Sequence, residues 1–557
     1  MLSKFLINKG ITHVFGYVGG ANLSLINQFV NSNLKFIVNR NEQCIGHAAS
    51  AFAHFSKKPG IILTTSGPGA TNLITPLQDA YSDGIPLIAI TGQVPSFAIG
   101  SDAFQECSAI NLTKPCTKWN YQMKKGDSIN HIMDTAWHAA LKGRPGPVHI
   151  DIPKDYVMIN GKENSFTWGS PKYNKNIDKI YDLIQRAKRP VIFAGRGATE
   201  DLNELAEKLQ IPVTTSLHGL GSFDENSPLA LKMVGMHGTA YANFAVQNSD
   251  LIIGIGCRYD DRTTGNISNY APNAKLIHVD FDKNQIDKIK KKFPNRELIS
   301  HYSDGETFIK NLLKLNPKPL KIKPWLSKIE IWKKKYPLDY DSSTKIKTQT
   351  VINYLDIYLH ETNNHLNTIF TTGVGNHQMM TAQFITWRNK SLMTSGSLGV
   401  MGSGLPYAIG AQLANPEKNV ILIDGDGSFN MSYNDLMTIK ELNLPIKIFI
   451  MNDSRLQMVH VWQDLFFNKR YLGTSHENPN YRDLAFAHGI KALTCVNKKD
   501  VKNYINIAMN YQGPFLIDFR TEPDYCLPLI PPGNDLDDMI ISKSDMGKLD
   551  KNALPPS

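Results

Sequence analysis

Cysteine is sparse in this 557-residue chain: six occur, irregularly spaced and with no CxxC pair. Nothing therefore supports a disulfide framework or a structural zinc site, and a reducing compartment is expected. No apolar run approaches the roughly 18 residues of a membrane-spanning helix, so no membrane partner is expected. The phosphate loop GxxxxGK[ST], the zinc motif HExxH and the nucleophile elbow GxSxG are missing too. A standard P-loop nucleotide site, a zinc protease and a serine hydrolase lose their support with them. Tandem repeats are absent. Neither a secretory signal nor an Arg- and Ser-rich transit segment precedes the first helix-like residues, so a cytoplasmic location is expected. The charge of +10 sits largely in 288–292 and 318–335, with no basic module interleaved with aromatics. No nucleic-acid partner follows from it.

What is present is a loop-rich globular composition, with 40 Gly, 30 Pro and 42% hydrophobic residues. The length calls for two to four domains. In the first third, strand-like runs at 36–38, 60–65, 86–91 and 147–152 alternate with helix-like runs at 43–55 and 71–81. Continuous apolar strands between helices predict a parallel sheet covered on both faces. This gives a first domain over 1–160, followed by a polar linker to about 176. The pattern restarts with strands at 190–194, 212–216, 251–255 and 275–280 and a helix at 202–209, a central domain over 176–315. A Lys- and Pro-rich stretch at 317–335, partly helical, marks the next boundary. A third domain over 345–535 follows, then a charged, peripheral tail over 536–557. The first and third domains are candidates for one fold used twice.

Two strand-like runs of the third domain, 420–423 and 446–451, lead straight into DGDGS and NDSR. Open α/β sheets place ligands at such strand ends. Asp426 and Asp453 offer the oxygen donors that a hard cation such as Mg²⁺ prefers. The turn Gly425-Asp426-Gly427-Ser428 opens a helix, where backbone N–H groups favour phosphate. Taken alone, the same residues also fit two unrelated Asp turns. Glu42, in NRNEQCIGHAA, stands between a strand and an apolar helix. It is either an acid–base group or a carboxylate favoured by the helix dipole.

A wider set of motifs carries a resemblance. FGYVGGAN (15–22), NEQCIGHAASAFA (41–53), TSGPGATN (65–72), TGQVPSFAIGSDAFQE (91–106) and GRPGPVHIDIPKD (143–155) stand in the first third. VTTSLHGLG (213–221), GMHGTAYAN (235–243) and GCRYDDRTTGN (256–266) stand in the middle. GVGNHQM (373–379), SGSLGVMGSGLP (395–406), IDGDGSFNM (423–431), RLQMVHVWQ (455–463) and PLIPPG (528–533) complete the order. Together they resemble the acetolactate synthase (acetohydroxyacid synthase) catalytic large-subunit family of thiamine-diphosphate enzymes, over nearly the whole chain.

The resemblance implies a three-domain α/β fold of parallel sheets flanked by helices: pyrimidine-binding, flavin-binding, then diphosphate- and magnesium-binding. It implies thiamine diphosphate, Mg²⁺ and FAD as cofactors. Glu42 would pair with the aminopyrimidine, and Gly19, Phe104 and Gln105 would line the reacting centre from the other subunit. Asp426 and Asp453 would bind the metal. Val374, Gly375, Asn376 and His377, with Gly425, Gly427 and Ser428, would hold the diphosphate. Met401 would wedge behind the cofactor, with Met458 against it, and Trp462 would line the second-substrate pocket. Arg144, Thr215, Met236, His237, Gly238, Arg258 and Arg262 would contact the flavin.

The implied reaction decarboxylates pyruvate and joins the two-carbon unit to a second pyruvate or to 2-oxobutanoate, in branched-chain amino-acid biosynthesis. Small 2-oxo acids are the expected partners, with a homodimer or homotetramer whose sites span the dimer interface and room for a regulatory subunit. Departures from the family pattern are Val18, Gly373, Asp453, Arg196, Ser303, Arg455, Gln457 and Ser397. They bear on rate, cofactor retention and second-substrate preference, and Val18, Gly373 and Asp453 keep open a catalytically degraded scaffold; the nearest enzyme alternatives are a pyruvate oxidase or another flavin-associated carboligase.

Overall fold

Short runs such as GIILT, PVIFA and LIIGI are apolar at consecutive positions, so each strand they form must be covered on both faces. The computed structural model, which describes residues 2–156, 176–341 and 344–548, buries all three completely. The first sheet contains β1 (His13–Gly16), β2 (Lys35–Ile37), β3 (Gly60–Thr64), β4 (Leu87–Gln93), β5 (Trp119–Gln122) and β6 (Val148–Pro153). The second contains β7 (Pro190–Ala194), β8 (Val213–Thr215), β9 (Ala230–Met233), β10 (Leu251–Ile255), β11 (Lys275–Asp280) and β12 (Leu298–Tyr302). The third contains β13 (Thr368–Thr372), β14 (Leu392–Met393), β15 (Asn419–Gly425), β16 (Lys447–Asn452), β17 (Lys491–Cys495) and β18 (Phe515–Arg520). Every pairing is parallel.

The orders are β2-β1-β3-β4-β6-β5, β12-β11-β10-β7-β8-β9 and β14-β13-β15-β16-β18-β17. Counted from its own first strand, the third sheet repeats the order of the first, and the middle sheet does not. The two like sheets share a core. Helix Glu42–Ser56 brings Ile45, Ala48, Ala49 and Phe52 against Leu405, Ala408 and Ile409 of helix Gly404–Ala414. Small residues allow that approach: a Cβ on Gly410 would lie 1.9 Å from the Ala48 carbonyl oxygen.

Two sequence expectations are corrected here. The boundary at 315 falls short, because helix Lys323–Lys335 packs on the central core. Its Trp325 and Ile329 are buried there, and Trp325 Nε1 donates to the Pro190 carbonyl at 3.2 Å. The lysines that suggested a linker lie on the helix's other faces. The segment from 536 is also not peripheral at its start. Leu536 is buried in the central core, and Leu529 and Ile540 exchange backbone hydrogen bonds of 2.9 and 2.8 Å. The expected linker, except Asn176, and the tail beyond 548 lie outside the described residues. Among the described residues no helix is long and apolar enough to cross a membrane.

Candidate active site

β15 and β16 are in parallel register, with Gly425 opposite Met451, so the residues that follow them emerge side by side. Asp426 is buried at the start of a short helix, and Asp453 is partly buried just past β16. Asp426 Oδ1 accepts from Gly427 N at 2.8 Å, and Oδ2 accepts from Ser454 N and Asn478 Nδ2, both at 2.7 Å. Asp453 Oδ1 accepts the Arg455 N–H, at 3.1 Å. Burial, and then the Asp426 charge, push Asp453 up to about 7. Burial likewise raises Asp426 above the ordinary carboxylate range. The Asp426 charge thus opposes ionisation of Asp453, a concentration of negative charge that a bound cation would relieve.

A cavity of about 60 Å³ adjoins them, lined by Val374, Gly375, Asn376, His377, Met401, Gly425, Gly427, Ser428, Met458 and both aspartates. Helix Asn376–Phe384 points its N-terminus into it after Gly375. No room exists for side chains at the turn: a Cβ on Gly425 would lie 2.7 Å from His377 Nδ1, and one on Gly427 would lie 2.4 Å from Leu456 Cδ2. Asn376 Oδ1 and Gln457 Oε1 are buried acceptors without a protein partner. Oxygen donors, helix N-termini and a glycine-walled cradle fit a diphosphate carried with a hard cation. The cavity is far too small for a whole thiamine diphosphate and matches its phosphate end.

The departure at Gly373 has a steric reason. A Cβ there would lie 2.0 Å from Ser428 Oγ and 2.3 Å from Asp424 Oδ1. Asp424 is itself buried, with Oδ1 3.2 Å from His377 Nε2. Sequence reasoning missed Asp424, Asn478 and His476, whose Nε2 stands 3.5 Å from Asp426 Oδ2. Asp424 lay in the quoted DGDGS. Asn478 and His476 come from a loop with no motif, and only the tertiary fold brings them in.

The N-terminal candidates form a second group, on loops beyond the carboxyl ends of the first sheet's strands. Gly19 follows β1 and lies against Thr65, which follows β3; a Cβ on Gly19 would meet Thr65 Cβ at 2.4 Å. Gln105 follows β4 and covers Gly67. Glu42 follows β2, opens its helix, and accepts from Asn72 Nδ2 at 2.9 Å. Phe104 is 89% exposed. Glu42, Gly19, Phe104 and Gln105 line neither the small cavity nor the larger cleft next to it. Within one chain the candidate residues therefore form two groups that share neither space.

The larger cleft, about 1380 Å³, is lined by residues of all three domains. Arg144, Met236, His237, Arg258, Arg262, Met458 and Trp462 line it; Thr215 and Gly238 do not. Trp462 and Met458 lie four apart on helix Gln457–Phe466, and the Arg262 guanidinium stands 5.8 Å from the Trp462 ring centroid. Val374 and Met458 line both spaces and so join the cleft to the diphosphate end.

The sequence matches the three domains described as "Thiamine pyrophosphate enzyme, N-terminal TPP binding domain" over 1–112, "central domain" over 177–299 and "C-terminal TPP binding domain" over 373–519. It is 41% identical to the mitochondrial acetolactate synthase catalytic subunit of Saccharomyces cerevisiae, over 97% of this chain and 83% of that protein. It is 42% identical to a probable acetolactate synthase large subunit of Methanocaldococcus jannaschii, over 96% of this chain and 94% of that one. The chain belongs to the acetolactate synthase catalytic-subunit family. A large subunit of that family from Porphyra purpurea is 39% identical over 97% of this chain and 95% of its own.

These acetolactate synthase matches correct the expectation of FAD. They name thiamine pyrophosphate and acetolactate synthase, and none names a flavin. FAD and the flavoprotein description are withdrawn, and Arg144, Thr215, Met236, His237, Gly238, Arg258 and Arg262 lose that assignment. In the structure several of them are held by protein groups. Arg144 Nη1 donates to the Tyr81 carbonyl at 3.0 Å, and Arg258 Nη1 to the Ser82 carbonyl at 2.7 Å. His237 Nδ1 lies 3.1 Å from the Cys526 carbonyl, and burial pushes this imidazole down to about 4.

Proposed function

We propose that this chain makes 2-acetolactate from two pyruvates, and 2-aceto-2-hydroxybutanoate when 2-oxobutanoate is the acceptor. The observation that carries the reading is the pair Asp426 and Asp453 at adjoining strand ends, beside a glycine-walled cavity and a helix N-terminus. Thiamine diphosphate, when bound, supplies the electron sink that decarboxylation of a 2-oxo acid requires. Asp426 and Asp453 would hold the Mg²⁺, and the N-terminus of helix Asn376–Phe384 with Gly425, Gly427 and Ser428 would hold the diphosphate. Glu42 would hold or release a proton at the aminopyrimidine nitrogen. Met401 would pack behind the cofactor, and Met458 and Trp462 would face the acceptor from an apolar wall. Exclusion of water by that wall favours carbon–carbon bond formation over release as aldehyde.

A homodimer completes the site in this reading. Two half-sites stand apart on each chain, and each is fringed by exposed apolar side chains: Val18, Phe97 and Phe104 on one, Met431, Val459 and Leu472 on the other. A two-fold axis brings the first group of one copy onto the second group of the other, twice. The reading is tested by product identification with pyruvate alone and with added 2-oxobutanoate, at varied thiamine diphosphate and Mg²⁺. Formation of both acetohydroxy acids only with both cofactors supports it. Acetaldehyde or acetate as the sole product refutes it.

A further inference from the structure

Away from this site, Asp356, His360 and His365 converge where helix Thr348–Glu361 ends. Asp356 and His360 are one turn apart on the same helix face. The turn His365–Asn367 brings His365 back against them. His365 Nε2 lies 2.7 Å from Asp356 Oδ1, and His360 Nε2 lies 3.7 Å from Asp356 Oδ2. The two imidazole centroids are 4.4 Å apart at 47°, and one ligand atom from each residue falls within 4.8 Å of the others. Thr386 fixes the carboxylate from behind: its N–H donates to Asp356 Oδ1 and its hydroxyl to Oδ2, both at 2.9 Å. His365 is buried, whereas the His360 side chain is 38% exposed and gives access from solvent.

We propose that Asp356, His360 and His365 bind one borderline divalent transition-metal ion of the Zn²⁺ type, with water as fourth ligand. The donor set is the argument. Two imidazole nitrogens and one carboxylate oxygen suit Zn²⁺ or Co²⁺ and suit Mg²⁺ poorly. Ligand bonds of about 2.0–2.2 Å are reached by a turn of the exposed His360 ring and a slight parting of His365 from Asp356. His365 then carries its proton on Nδ1. Thr386 is the outer group that orients the carboxylate, as such sites require.

The ion would be a clasp rather than a reactant. Thr386 lies just after helix Asn376–Phe384, whose N-terminus walls the diphosphate cavity. Binding ties that segment to the end of helix Thr348–Glu361.

The test uses chelator-washed full-length protein, then saturated with thiamine diphosphate and excess Mg²⁺ so that Asp426 and Asp453 are occupied. Co²⁺ is titrated in, with visible absorption and melting temperature recorded. One equivalent should bind with the intense visible bands of tetrahedral imidazole coordination, and the melting temperature should rise. H360N and H365N should each weaken this binding by about tenfold or more and abolish the rise, without changing acetolactate formation. If H365N fails to fold, H360N, at the exposed position, decides alone. Absence of saturable one-equivalent binding overturns the proposal, as does an unchanged spectrum in folded H360N.

Discussion

At the scale of single residues, the proposed chemistry rests on three carboxylates. Glu42→Gln keeps the shape and the Asn72 contact but removes the titrating group. Proton exchange at the cofactor's thiazolium carbon should slow by about a hundred- to ten-thousand-fold, the usual range for a general acid–base group; hydrogen–deuterium exchange followed by NMR measures it. Asp453 carries the pH dependence. Its folded-state value is raised from 3.8 to about 7. Its contribution to the stability of the metal-free protein is therefore fully present below about 4 and lost as pH rises through about 7. Metal binding has the opposite sign, because the ion competes with the proton. Affinity for Mg²⁺ and thiamine diphosphate should rise with pH through that window, and Asp453→Asn should flatten the rise while retaining an oxygen ligand. Fluorescence titration of both proteins between pH 5.5 and 8.5, roughly the span around a near-neutral carboxyl, checks this. Glu42, Asp426 and Asp453 could be singled out in the sequence because each follows a recognisable strand, while their proposed roles came from the family resemblance. Asn478 was not, since its contact with Asp426 spans 52 residues and no local pattern marks it. The reason for Gly373 was hidden too. Gly373→Asp would restore the family's residue into space already filled by Ser428 and Asp424. It should cost about 1–3 kcal/mol, as overpacking does, measurable by denaturant unfolding.

Elements were legible where their burial is simple. Strands buried on both faces, such as β3, β7 and β10, stand out as continuous apolar runs. β5 reads WNYQ and is only half-buried at a sheet edge, so it carries no such run. The packing of helix Lys323–Lys335 on the central core was hidden by its lysines, and the buried Leu536 by the acidic residues around it. Helix Gln457–Phe466 obeys its spacing: Met458 and Trp462 share the face that lines the cleft. Trp462→Leu should therefore change the ratio of 2-aceto-2-hydroxybutanoate to 2-acetolactate when both acceptors compete. The change should be partial, since a methylene in an apolar pocket is worth about 1–3 kcal/mol. It should leave the rate of pyruvate decarboxylation nearly unchanged, because acceptor choice comes later. Mass spectrometry of products at fixed acceptor concentrations, beside single-turnover CO₂ release, separates the two. An unaltered ratio would make Trp462 a packing residue.

At the scale of the whole molecule, the repeated strand order and the shared core tie the first and third domains together within a chain, while the two groups of candidate residues stay apart. The account's central claim is that a complete site takes Glu42 from one copy and Asp426 from another. Complementation tests it most directly. Glu42→Gln and Asp426→Ala are each purified, shown to be folded and nearly inactive, then co-expressed in equal amounts and assayed for acetolactate. Random pairing makes half the dimers mixed. In a mixed dimer one site carries both substitutions and the other carries neither, so about a quarter of wild-type activity should return. If each site is built from one chain, every site carries one substitution and the mixture stays as inactive as its parents; that result would contradict the account.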